Sequence, residues 1–85
     1  MNIGEAVQAL KEGKRVLRKG WNGKGMWLRL HEPEGEPFWR INSNTRQEVV
    51  CEEVDFVQMK TADNKLVPWL CSQTDLLATD WEVLT

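Results

Sequence analysis

Between two short apolar runs, Val16-Leu17 and Met26–Leu30, lies the segment Lys19-Gly20-Trp21-Asn22-Gly23-Lys24-Gly25. Three glycines and an Asn-Gly pair predict a tight loop or hairpin there. The flanking runs then read as short strands, one within Lys14–Arg18 and one over Met26–Leu30. A chain that reverses this sharply so early commits its first strands to antiparallel neighbours.

The rest of the pattern extends that sheet. Asn2, with Glu5 three residues later, forms a capping-box signature. Ile3, Ala6, Val7 and Leu10 repeat at helical spacing and Gly13 supplies a stop, which predicts a helix over 3–12. Phe38–Ile41 and Gln47–Cys51 read as two strands joined by a turn at Asn42-Ser43-Asn44, after an exposed His31–Pro37 connection. Asp55–Lys60 and Lys65–Trp69 read as a hairpin around Asp63-Asn64, with Pro68 at a strand end or edge. Ser72 and Asp75 begin a second capping box and a short helix over 73–78, and Trp81–Leu84 forms a last strand. Trp27 and Trp81 are expected in the core. The expected fold class is α+β: a small antiparallel sheet, an N-terminal helix and a short helix near the C-terminus.

At 85 residues this is one small domain, 1–85. It should bury about 64% of its unfolded surface. That is one modest core, so a deep pocket forms more readily between subunits. Eleven basic and thirteen acidic side chains argue against a nucleic-acid binder. Charge is nevertheless segregated. Residues 11–29 hold seven basic groups against Glu12, whereas 31–55 hold six Glu and Asp55 against Arg40 and Arg46. The basic stretch is either a solvated surface or a holder of a small anion. No signal-peptide core or membrane-spanning run is visible. Cys51, Cys71 and the single His31 cannot supply a four-ligand zinc site, and reduced, packed thiols are expected.

Catalysis has little to stand on. His31 lies in the Pro/Glu connection and reads as a surface histidine. Cys71 precedes a helix start, which could lower its pKa, but it has no evident partner base. The glycine loop matches neither a P-loop nor a dinucleotide fingerprint. Binding has more. Trp21 offers a stacking plane and Asn22 a donor and an acceptor. Gly25 and Met26 open the backbone to a ligand, and Arg18 and Lys24 can meet phosphate. Trp69, Ser72, Thr74 and Asp75 form a second candidate segment at a helix start. The alternative for both segments is plain structure: Trp21 and Trp69 as core anchors, Ser72 and Asp75 as caps.

The combination of GWNGKGM, MKTAD and VPWL-x-SQTDLLA-x-DW closely resembles the second Thoeris anti-defence family of bacteriophage proteins. The likeness covers residues 1–30 and 56–84 and leaves the middle unmatched. It implies a non-catalytic sponge, a homo-oligomer and usually a homotetramer. Such a sponge sequesters cyclic ADP-ribose isomers made by Thoeris TIR enzymes, in the cytoplasm of the infected host. Some members trap cyclic dinucleotides at a separate site. It implies that Trp21, Asn22, Trp69, Ser72, Thr74 and Asp75 line the pocket, and it supports Gly25 and Met26 as pocket backbone. Arg18 and Lys24 rest on charge alone. No cofactor or metal is implied. The alternatives are a protein-interaction domain displaying Trp residues and, behind it, a cyclic-nucleotide-processing enzyme.

Overall fold

A computed structural model describes residues 1–21, 23–33 and 53–84, together with the backbone of strands 38–41 and 48–51. Asn22, the turn assigned to 42–44 and residues 34–37 of the His31–Pro37 connection lie outside the described residues.

Helix α1 spans Ile3–Lys11. Asn2 Oδ1 accepts from the Glu5 N–H at 2.9 Å, and Glu5 Oε1 accepts from the Asn2 N–H at 3.0 Å, so the box is complete. Gly13 takes φ +84°, and Lys14 N–H donates back to the Ala9 carbonyl at 3.0 Å. The buried stripe is Ala6, Ala9 and Leu10. Val7, expected on it, lies at its edge and is 37% exposed, because the stripe turns toward Ala9 rather than toward Val7.

The main sheet is antiparallel. Its strands are β1 (Val16–Arg18), β2 (Trp27–His31), β5 (Phe56–Lys60), β6 (Leu66–Pro68) and β7 (Trp81–Val83). Their order across the sheet is β6-β5-β2-β1-β7. The glycine loop, entered through a 3₁₀ turn at Lys19–Trp21, joins β1 to β2, as its composition requires. Between β2 and β5 the chain makes a separate two-stranded ladder, β3 (Phe38–Ile41) with β4 (Glu48–Cys51). Asn64, at φ +65°, turns the β5–β6 hairpin. Pro68 ends the edge strand β6, where its missing N–H leaves no gap in the ladder. Helix α2 is the single turn Gln73–Leu76, shorter than the expected 73–78.

Residues paired across the sheet share a face. Val16, Leu28 and Met59 align on one side, with Arg18 opposite Trp81 and Val16 opposite Val83. Helix α1 covers that side, and Ala6, Ala9, Leu10, Val16, Leu28 and Trp81 are buried between the layers. Trp27 is the exception to expectation. It alternates with the fully buried Leu28, projects from the opposite face and stacks under the Arg15 guanidinium, 4.4 Å from the ring centroid.

Candidate functional site: an indole corner locked by an ion fork

Trp81, 2% exposed, is the hub. Its ring meets Trp21 edge-on, with centroids 5.4 Å apart and planes at 79°. It meets Trp69 in the same way, at 5.9 Å and 86°. Both flanking indoles are half-buried, so each packs against the core and keeps part of its surface open. Edge-to-face contact suits the aromatic quadrupole and leaves the broad faces of the outer rings differently placed from the hub's. Trp81 Nε1 donates to the Asp75 carbonyl at 3.1 Å, which fixes α2 to the same hub.

Arg18 holds the polar side. Its Nε donates to Asp80 Oδ1 and its NH1 donates to Asp75 Oδ1, both at 2.8 Å. Asp80 Oδ2 in turn accepts from the Gly20 N–H at 2.8 Å, and the Asp80 carbonyl accepts from the Lys19 N–H at 3.0 Å. One carboxylate therefore ties the start of the glycine loop to the segment after α2. A Cβ on Gly20 would approach Asp80 Oδ2 to 3.0 Å, which accounts for glycine there. Arg18, and then the Gly20 N–H, hold the Asp80 carboxyl below its ordinary pKa; Asp80, and then Asp75, push Arg18 further above its own. Ser72 Oγ accepts from the Asp75 N–H at 3.1 Å, as the cap predicts. The reciprocal half of that capping box is replaced: the Asp75 carboxylate goes to Arg18, a charge-assisted bond stronger than a neutral one.

The structure thus brings Trp21, Trp69, Asp75 and Arg18 together around Trp81. Ser72 and Thr74 are exposed, Ser72 serving as the cap. Lys24 is exposed and joins the corner only through its backbone, its N–H donating to the Trp21 carbonyl at 3.3 Å. Gly25, at φ +76°, lies on the other flank of the loop. Its carbonyl accepts from Lys60 Nζ at 2.7 Å, and Met26 beside it is half-buried. Arg18, expected to face phosphate, is occupied by two carboxylates. Asp80 was not singled out as a site residue, although the motif quoted above ends on Asp80-Trp81; only the fold shows that it faces Arg18. Cys71 is half-buried, as expected of a packed thiol, and the helix start does not activate it. Partial burial, and then Asp75, push its thiol up rather than down. Among the described residues there is no cluster of His, Cys, Asp and Glu able to hold a metal. No described helix is long and apolar enough to cross a membrane.

Fold and corner together define a class: a small helix-backed antiparallel sheet that displays tryptophans beside a clamped, glycine-opened loop. A family model described as the Thoeris anti-defense 2-like domain matches residues 1–84. A curated relative, Thoeris anti-defense 2 of Bacillus phage SP01, is 41% identical over 87 residues, which covers 100% of this chain and 96% of the relative. The chain belongs to the Thoeris anti-defense 2-like family, and that membership supports a role in phage anti-defence.

Proposed function

We propose that this chain is a sponge: it binds a cyclic ADP-ribose-type immune signal in the infected host's cytoplasm and holds it without cleaving it. The observation that carries the reading is the pairing of two half-open indoles with an acidic corner, at the residues the sequence singled out. Adenine needs a flat apolar partner, and ribose hydroxyls need acceptors. Trp21 and Trp69 supply the first, and the remaining acceptor capacity of Asp75 the second. Arg18 acts here as the clamp that keeps the Asp75 carboxylate aimed. The pyrophosphate is then met by the loop backbone and Lys24. A nanomolar sponge needs about −12 kcal/mol of binding and no selectivity for a transition state.

A chain of this size completes such a pocket with a second copy. Leu70 and Leu77, 92% and 76% exposed, flank the corner in sequence and supply apolar surface for a homo-oligomer, which we take to be a homotetramer. Calorimetric titration tests the reading. Saturable binding of one cyclic ADP-ribose isomer, weakened by Trp21→Ala, supports it. Absence of binding across cyclic ADP-ribose isomers and cyclic dinucleotides refutes it. Binding of cyclic dinucleotides that survives Trp21→Ala places them at a separate site.

A further inference from the structure

The sheet face opposite α1 has no described element packed on it. Trp27 pairs with Lys60, Arg29 with Gln58 and His31 with Phe56 across β2 and β5. Arg15 lies over Trp27, and Arg29 Nε donates to Gln58 Oε1 at 2.9 Å. None of these side chains is buried. Arg15, Arg29 and Lys60 give the face three cations, with Glu82 on β7 as an opposing acid. The acidic stretch 32–55 leaves and re-enters the sheet at the His31–Phe56 end of the same two strands. Its described acids Glu32, Glu53 and Asp55 are exposed. Trp27 and Lys60 lie four residues further along, about 13 Å away at the usual strand rise.

We infer that this basic aromatic face is a docking surface for the acidic end of the same strand pair, marked by Glu32, Glu53 and Asp55, in a second copy of the chain. Charge complementarity chooses that occupant. Each copy carries its positive and negative patches at opposite ends of one strand pair. An antiparallel two-fold arrangement sets each negative end on the other's positive end, and such a contact is self-complementary by construction. A phosphate-rich ligand on this face would instead meet the chain's own acidic stretch at the far end. The inference rests on the self-association proposed above and names one of its interfaces.

Sedimentation of the full chain tests it. Raising salt from 50 to 500 mM should raise the dissociation constant of this contact at least tenfold. The face variant Arg15→Glu/Arg29→Glu and the stretch variant Glu53→Lys/Asp55→Lys should each lose the contact. An equimolar mixture of the two should restore it as a hetero-pair. Zero-length carbodiimide cross-linking of mixed ¹⁴N and ¹⁵N wild-type protein needs no variant, and should join Lys60 of one copy to Glu53 or Asp55 of another. An assembly indifferent to salt and to both reversals, a mixture that fails to re-pair, or cross-links confined to single copies would overturn the inference and leave the self-association reading standing. A monomer at every concentration would overturn both. Binding of an oligonucleotide that Arg15→Glu/Arg29→Glu abolishes, with assembly unchanged, would reassign the face to a polyanion.

Discussion

Replacing Trp81 by phenylalanine separates the hub from the rings it supports. Phenylalanine keeps an aromatic ring in the core but removes the indole N–H and half of the bicycle. Loss of the bond to the Asp75 carbonyl, 3.1 Å long, costs about 1 kcal/mol. A residue 2% exposed cannot be trimmed without leaving space, and the missing ring atoms cost about 1–2 kcal/mol as a fraction of a full truncation to alanine. Weakened edge contacts to Trp21 and Trp69 add about 0.5 kcal/mol. The total is about 3 kcal/mol. At roughly 2.1 cal/mol/K per residue, an 85-residue chain changes Tm by about 5–6 °C per kcal/mol. Trp81→Phe should therefore lower Tm by about 15 °C. Trp21→Phe, at a half-buried position with no described bond from its N–H, should lower it by about 5 °C or less. Differential scanning calorimetry of both variants decides the matter. If Trp81→Phe melts within 3 °C of wild type, or Trp21→Phe costs as much, the assignment of hub and display rings is wrong.

Further expectations follow from the same geometry. Arg18→Met should loosen the glycine loop, seen as faster amide exchange at Lys19 and Gly20, even without ligand; an unchanged loop would return Arg18 to the role of a phosphate contact. Because the folded pKa of Asp80 is lowered, its contribution is fully present above the unfolded value of about 4 and is lost as pH falls through the folded value. Urea unfolding should thus show wild type more stable than Asp80→Asn at pH 7, with the gap closing below pH 4. Gly25→Ala should cost about 1–2 kcal/mol, because the residue sits at φ +76° and its new Cβ would come within 3.3 Å of Lys60 Nζ; an equal-stability variant in chemical denaturation would contradict this. At pH 8, alkylation of Cys71 should run slower than that of an unstructured peptide thiol, since its pKa is raised.

What could be read from the sequence depended on whether its cause was local. The α1 box needs only Asn2 and Glu5 three residues apart, and the β5–β6 turn only residues 61–65, so both were legible. Trp21 and Trp69 were legible as a pair of interest because glycines and a helix cap stand beside them. Their common support was not, since Trp81 reaches Trp21 through the pairing of β7 with β1, a long-range contact that no short window contains. The Arg18 fork was hidden for the same reason: its partners lie 57 and 62 residues away. Charge alone made Arg18 resemble a phosphate ligand, and only the fold shows that two carboxylates already occupy it. Trp27 was misplaced because its apolar ring outweighed the alternation of β2: Leu28 and Leu30 share the core face, whereas Trp27 shares the other with Arg29 and His31.

Recovery of the signal tests most directly whether the chain sequesters rather than destroys it. The protein is incubated with a stoichiometric cyclic ADP-ribose isomer, filtered to remove free ligand, heat-denatured and assayed by mass spectrometry. Retention on the protein followed by release of the intact molecule in near-quantitative yield is the predicted result. Breakdown products, or passage of the whole ligand through the filter, would contradict it.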